Sequence, residues 1–357
     1  MGLPSVIINF KETAITAIKR GERGIVALIL KDGSVEELTS YEITTVTEIP
    51  ETLNDTNKEQ AELTFIGYQT PPKKVILVVI PEAAENYNDA TNYLETIRWD
   101  YLAIPAIQTG EVTTIATWVK SLNDTIDKKC KVVLPNSKSD HECVINFTTT
   151  NIKTAEKTYS TAEYCSRLAG MFAGTPMTIS ATFAPLPEVL DFDKLTKSQM
   201  DKAIEAGELI LYNDGEKVKI SRAVNSFTTT TQGKGESFKK IKIVDAMHMI
   251  HDDIKKTAED SYLGKYANSY DNKCLLVTAI QAYLDQLVLD GILDNSYDNK
   301  VYIDVDQQRT YIKGTGVDVD SMTEKEIKEY NTKDKVFLAS DIKILDAIED
   351  ITLNITI

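Results

Sequence analysis

His248 and His251, followed by Asp252 and Asp253, are the residues whose types and spacing come nearest to a reaction or metal centre. Imidazoles three positions apart on a helix share a face and can hold one metal ion. The pattern stops there, because no glutamate follows the first histidine as a zinc-protease helix requires. Ile243, Met247, Ile250, Ile254 and Ala258 recur at helical spacing through the same stretch, so the two histidines are expected as a surface pair on an amphipathic helix. His141 lies between Cys130 and Cys143 without ligand-like spacing. Those two cysteines, with Cys165 and Cys274, form no CxxC pair and read as buried small hydrophobes, not as disulfides or metal ligands. Asp304/Asp306 and Asp318/Asp320 resemble fragments of a calcium loop, but neither continues to the glycine and distal glutamate that would close one.

A nucleotide site fares no better. Val75–Ile80 is a continuous apolar run of the kind that forms a strand covered on both faces. It is followed by Pro81-Glu-Ala-Ala-Glu-Asn86, acidic and without the glycines that let backbone N–H groups approach a pyrophosphate. There is no Walker sequence and no GxSxG elbow. The residues therefore imply no cofactor, no metal and no enzyme. The competing reading is an α/β enzyme with an unrecognised active site, which a cofactor retained on purification would favour.

The elements expected to carry these residues begin with Ile25–Leu30, a buried-type strand, and Asp32-Gly33, read as a hairpin turn into Val35–Leu38. From residue 71 strands at 75–80, 101–105, 131–134 and 143–147 alternate with helices at 90–98, 112–122 and 162–172, the pattern of βαβ units and a parallel sheet. A connector with Pro185 and Pro187 leads to a helix over 198–206 stopped by Gly207. Residues 209–263 then form a platform: two short β-type runs around Asn213-Asp214-Gly215, a Thr- and Gly-rich loop at 228–235, and a long helix. A second long helix runs over 271–290 from a cap near Ser269, with Leu276, Ile280, Tyr283 and Leu287 on one face. Residues 301–313 read as a strand, and 323–330 as a short charged helix.

Both ends of the chain are short β-type segments set apart from this body. Val6, Ile8 and Phe10 alternate near the start, and Ile351, Leu353, Ile355 and Ile357 alternate to the last residue. A strand at a terminus must pair with something. At 357 residues the chain has room for two or three domains, each with its own core. A net charge of −15 argues against a nucleic-acid partner, which demands clustered Lys and Arg. No apolar run reaches the length of a membrane span, and the first residues lack the basic and apolar regions of a secretion signal, so synthesis and folding in the cytoplasm are expected.

Several stretches in combination resemble the contractile phage tail sheath proteins of the PBSX-like, Gram-positive type. They are Leu3-Pro-Ser-Val-Ile-Ile-Asn-Phe10 with Ile18-Lys-Arg-Gly-Glu-Arg-Gly-Ile25, Leu168-Ala-Gly170 with Gly174-Thr-Pro176, Ala184-Pro-Leu-Pro-Glu-Val189, Arg222-Ala-Val-Asn-Ser226, and Lys335-Val-Phe-Leu338 with Ile342-Lys-Ile-Leu-Asp-Ala-Ile-Glu-Asp350. The chain is also similar to the sheath of clostridial R-type bacteriocin (diffocin-like) particles. The resemblance covers nearly the whole sequence.

It implies a mixed α/β and α+β multidomain fold: an outer α/β portion plus a C-terminal α+β domain, with terminal β-strand arms exchanged between subunits. The boundaries expected are an N-terminal linking arm at 1–20, a β-rich segment at 21–70, an outer α/β domain at 71–176, an inner, tube-proximal α+β domain at 177–345 and a C-terminal linking arm at 346–357. The resemblance further implies a homo-oligomer built as a helical stack of six-subunit rings, partnered by a tail tube, baseplate and tail terminator. Such a sheath is assembled in the host bacterial cytoplasm and carried on a phage tail or a released bacteriocin particle, with no nucleic-acid contact and no insertion into membrane. Val6, Ile8, Phe10, Ile351, Leu353, Ile355 and Ile357 would then make inter-subunit arm contacts. Lys325 and Lys328 on the charged helix are the candidate tube contact.

Overall fold

The computed structural model describes residues 17–356, so the expectations for Val6, Ile8, Phe10 and Ile357 lie outside the described residues. The chain divides into two compact units, one of residues 21–251 with 345–357, the other of residues 1–20 with 252–344.

The first unit is built on a seven-stranded sheet. In chain order its strands are β1 (Ile25–Asp32), β2 (Thr39–Ile43), β3 (Lys74–Pro81), β4 (Tyr101–Ala103), β5 (Lys131–Pro135), β6 (Val144–Phe147) and, after two short strands β7 (Ile152–Lys153) and β8 (Thr158–Tyr159), β9 (Glu208–Leu209). Across the sheet the order is β2-β3-β1-β4-β5-β6-β9. Every neighbouring pair is parallel except β2–β3, which is antiparallel. The helices α1 (Asp55–Phe65), α2 (Asn88–Thr96), α3 (Val112–Asp124) and α4 (Thr161–Ala173) cover its faces.

Alternate residues of β1 and β3 serve opposite cores. Val26, Leu28, Leu30, Val75, Leu77 and Val79 pack with residues of α1 and α4, while Ile25, Ala27, Ile29, Ile76, Val78 and Ile80 pack with α2 and α3. This two-sided burial explains why these strands read as unbroken apolar runs. Fully burying each Val, Ile or Leu contributes about 1.5–3 kcal/mol, so the sheet dominates the stability of this unit. The two helices on the first face approach unusually closely: a Cβ added at Gly170 in α4 would lie 1.9 Å from the Thr64 carbonyl oxygen in α1. Ser160 and Glu163 form a complete capping box at the start of α4.

The same unit continues through α5 (Lys197–Glu205), the antiparallel pair β10 (Leu211–Asn213) and β11 (Val218–Ile220), and the first half of α6 (Ile241–Ser261). Gly207, at φ +71°, ends the α5 turn in the left-handed region that favours glycine. The Asp214-Gly215 turn forms the hairpin the sequence predicts, with the Asp214 carboxylate accepting the N–H groups of Glu216 and Lys217.

The second unit holds the rest of α6, then α7 (Tyr270–Leu289), β12 (Lys300–Ile303), α8 (Val305–Gly314), α9 (Glu324–Glu329) and β13 (Leu338–Asp341). The Ser269 side chain caps α7 by accepting from Asn272 N. Tyr283 on α7 donates to Asp253 Oδ2 of α6 at 2.8 Å, and Arg20 pairs with Asp290 at the end of α7. β12 and β13 make a separate two-stranded antiparallel sheet.

Three expectations need correction. Residues 21–70 are not a β-rich segment of their own: they supply β1 and β2 to the main sheet and the helix α1, capped by Asn54, to its face. Val35–Leu38 is not a strand. Both edges of β1 are already paired, with β3 and β4, so the chain after Asp32-Gly33 crosses to the far side of β3. Asp32 secures that crossing by accepting the N–H groups of Ser34 and Asn54 and the Asn57 amide. Residues 301–313 are a strand only to Ile303, because the Asp304 side chain accepts from Gln307 N and starts α8. The compact units part near residue 251, and β9 to β11 and the start of α6 fall in the unit of the main sheet.

Candidate assembly surfaces and buried polar clusters

The first cluster that invites a chemical reading was passed over in the sequence. His141 Nδ1 lies 2.8 Å from Cys143 Sγ, and its Nε2 lies 3.1 Å from Asp124 Oδ2, a thiol, imidazole and carboxylate in line. Only folding brings Asp124, at the end of α3, to the turn before β6. Cys143 is fully buried, and that burial pushes its thiol well above the usual range, away from the thiolate a nucleophile needs. Cys143 N also donates to His141 Nδ1 at 3.2 Å, and Ser226 and His141 exchange backbone hydrogen bonds through the Ser226 hydroxyl. The trio ties the turn at 141 to α3 and to residue 226. Cys130 is buried as well, its thiol raised to about 12 by burial; burial also pushes the Cys165 thiol well above the usual range, and Cys274 is half-buried. Among the described residues no group of three or more His, Cys, Asp or Glu is arranged to hold a metal ion.

The second cluster corrects the expectation of a surface histidine pair. His248 is buried, at the amino ends of β1, β4 and β5. The helix turns it inward because Ile241–Ile250 is buried on more than one side, with Val244 and Met249 inside as well as Ile243 and Ile250. Lys131 Nζ sits 3.4 Å from His248 Nδ1 and 2.6 Å from Asp245 Oδ1. Tyr101 Oη donates to both oxygens of Asp245 at 2.7 Å, and the Arg23 guanidinium donates to the His248 carbonyl at 3.1 Å. Burial first, then the positive charge of Lys131, holds the His248 imidazole well below its ordinary pKa, so it is neutral. His251 faces outward enough to meet Asp127 at 3.0 Å. The pair does not converge on a point a metal could occupy.

The surface features are different in kind. Ile348, Ile351, Leu353 and Ile355 are 87%, 81%, 76% and 76% exposed, and none of residues 342–356 lies in a strand. Residues 351–356 thus expose an apolar and polar alternation that has no strand partner among the described residues. Of the two small sheets, β10–β11 in the first unit is extended by residues 183–186, with Phe183 N and Leu186 N donating to the carbonyls of Ile220 and Val218 and Ile220 N to that of Ala184, while β12–β13 in the second unit has two strands and Val301 N donates to Gln281 Oε1 at 3.1 Å. Lys325 and Lys328 lie on α9, the short charged helix expected over 323–330, which Thr323 and Glu326 cap. Each has a local partner, Lys325 with Glu329 at 3.8 Å and Lys328 with Glu324. No helix among the described residues is long and apolar enough to cross a membrane.

Residues 82–226 match the model of the phage tail sheath protein central domain, and residues 233–357 that of the phage tail sheath C-terminal domain. The tail sheath protein of Clostridium phage phiCD119 is 39% identical, over 99% of this chain and 99% of its own length. The phage-like element PBSX protein XkdK of Bacillus subtilis is 26% identical over 68% of this chain and 59% of its own. Among solved structures, the sheath tail protein of Desulfitobacterium hafniense superposes with a TM-score of 0.70 at 18% identity, covering 84% of this chain and 94% of that one. The helical sheath of the anti-feeding prophage in its contracted state gives 0.72 at 15% identity, covering 100% and 99%. The chain belongs to the phage tail sheath protein family, and it is a structural sheath subunit.

Proposed function

We propose that the chain polymerises as a helical stack of six-subunit rings around a tail tube, bounded by a baseplate and a tail terminator. On contraction it drives the tube through a target cell envelope. The observation that carries this reading is the exposed alternation at Ile351, Leu353 and Ile355. Heterologous contacts that do not close on themselves build helices, and strand addition supplies cohesion through main-chain hydrogen bonds. A pairing of about four to six bonds at about 1 kcal/mol each is modest alone, but a sheath repeats it in every subunit.

The β12–β13 sheet is the receiving site we favour. Its Val301 and Ile303 are buried while Lys300 and Tyr302 face out, the same alternation that the tail offers. In this reading Val6, Ile8, Phe10 and Ile357 complete the linking arms, and Lys325 is the stronger candidate for the tube contact because it is the more exposed of the two lysines. The energy of contraction is stored in the extended lattice during assembly in the host cytoplasm, so the mechanism requires no nucleotide, nucleic acid or membrane insertion. A phage tail and a bacteriocin particle use such a sheath alike.

Imaging the full chain, co-expressed with its tube protein, beside versions lacking residues 1–20 or 346–357 tests the reading. Striated tubes from the full chain and dispersed subunits from either deletion support it. Full-length protein that stays monomeric in the presence of tube protein would overturn it, and the α/β-enzyme alternative would then be the one to pursue.

A further inference from the structure

The tail is not loose along its whole length. Glu349 is the one acidic side chain of residues 346–350 that is driven inward, 7% exposed, beside Asp350 at 82%. Its Oε1 accepts from Thr182 Oγ1 at 2.5 Å and from Ser180 Oγ at 3.0 Å, and its Oε2 lies 3.6 Å from Arg222 Nε. The receiving groups are themselves held in place. Thr182 Oγ1 accepts from Ala223 N at 3.0 Å, and Ser180 Oγ accepts from Thr182 N at 3.1 Å. Around this peg Arg222 Nη2 meets Asp350 Oδ1 at 2.6 Å, Lys240 pairs with Asp346, and Lys242 donates to the Leu345 carbonyl. All these residues belong to the first unit. Three basic side chains and two hydroxyls thus hold Leu345, Asp346, Glu349 and Asp350, with Ile348 between them turned out, and the held contacts end before Ile351.

We infer that Ser180, Thr182, Arg222, Lys240 and Lys242 form a socket for residues 345–350, so that the linking strand leaves every free subunit from one fixed point. This rests on the linking role proposed above for residues 351–357. Those seven residues span roughly 23 Å when extended, so the position of their root decides which neighbouring edge they reach. A strand anchored at its base also has less conformational freedom to lose when it pairs. The socket residues are positioning residues: they touch the root and act on the neighbour only through the strand they aim.

The buried Glu349 provides a readout independent of assembly. A glutamate-specific protease cuts after Glu349 only when the peg leaves its socket, and cleavage after the exposed Glu51 serves as the internal reference. In the free full-length subunit, Arg222→Ala and Thr182→Val are expected to raise the relative rate at Glu349 by about tenfold, while Arg222→Lys stays within about twofold of the parent chain. The thermal midpoint of each variant is measured alongside, and Thr182→Val decides the matter if Arg222→Ala unfolds. Equal rates in the parent and both released variants would overturn the socket. With tube protein present, the released variants are expected to need about tenfold more subunit to form sheath. Unchanged assembly would overturn the aiming role. If instead the parent chain forms no sheath while the proteolysis result holds, the socket stands and the linking role of the strand falls.

Discussion

The chain uses nearly the same residues for opposite ends in β1 and in its tail. Ile25–Leu30 and Ile351–Ile355 are both short and rich in β-branched or leucine side chains, yet every residue of the first is buried and the apolar residues of the second are at least 76% exposed. In β1 the strand has a partner on each edge and helices on each face, so its burial is complete within one chain. In the tail, residues 351–356 pair with no strand among the described residues, and their apolar side chains are exposed. The difference shows that a residue's β-type character says what it needs, while the topology says whether the chain itself provides it. Where it does not, the requirement becomes an instruction to assemble.

The sharpest test of that contrast is the same change made in both places. Val78→Asp, in β3 between two covered faces, buries an unpaired carboxylate and is expected to cost more than about 4 kcal/mol, read as loss of a cooperative thermal transition. Leu353→Asp is expected to leave the thermal midpoint of the free subunit unchanged while abolishing sheath formation. A fall in that midpoint would show that the tail already serves its own fold.

A smaller but still large effect is expected at the α1–α4 crossing. Gly170→Ala forces a methyl group against the Thr64 carbonyl and separates two helices that cover one sheet face. A loss of about 3 kcal/mol in denaturant unfolding follows, with the slope unchanged. Near-neutral behaviour would mean that the helices are less tightly seated than the geometry requires.

Acid provides the third test. His248 is held neutral in the folded chain, with its pKa lowered by burial and by Lys131, so below about pH 6.5 the unfolded chain binds a proton that the folded chain refuses. The stability due to this group is fully present above that value. It declines as pH falls, by at most about 1.4 kcal/mol per pH unit, until the lowered folded pKa is passed. His248→Gln should flatten the dependence of the thermal midpoint between pH 7 and pH 5, and an unaltered slope would contradict the buried neutral imidazole. The smallest effect is expected at α9. Lys325→Ala and Lys328→Ala remove exposed pairs that water already screens, so no measurable change in thermal stability is expected. Weakened sheath formation on the tube by Lys325→Ala alone would mark it as a contact.

Much of this architecture was legible where local chemistry and pattern agree. The continuous run at Val75–Ile80 announced a doubly covered strand, Ser269 announced a helix start, and Asp214-Gly215 announced a hairpin. The failures lie where a polar side chain settles the local structure in concert with residues distant in sequence. Asp32 looked like a hairpin turn residue, but it is the anchor of a crossover held by Asn54 and Asn57. His248 fell outside the apolar periodicity and so looked exposed, yet the helix is buried on more than one side there. A capping signal was available for α8 in Asp304, four residues into an alternation that had already been read as strand. The Glu349 socket left no local signal at all, because Thr182 and Arg222 are far from it in the chain. The exposure of Ile351, Leu353 and Ile355, by contrast, goes with a plain two-residue alternation that sequence alone displays.

The measurement that tests the central claim most directly is a density map of the assembled sheath in which residues 351–356 can be traced. The account predicts an added strand on a sheet of a neighbouring subunit, most directly at the β12–β13 edge, with Ile351, Leu353 and Ile355 turned to its buried face. A tail folded back on its own subunit, or lacking any strand partner in the assembled sheath, would contradict it.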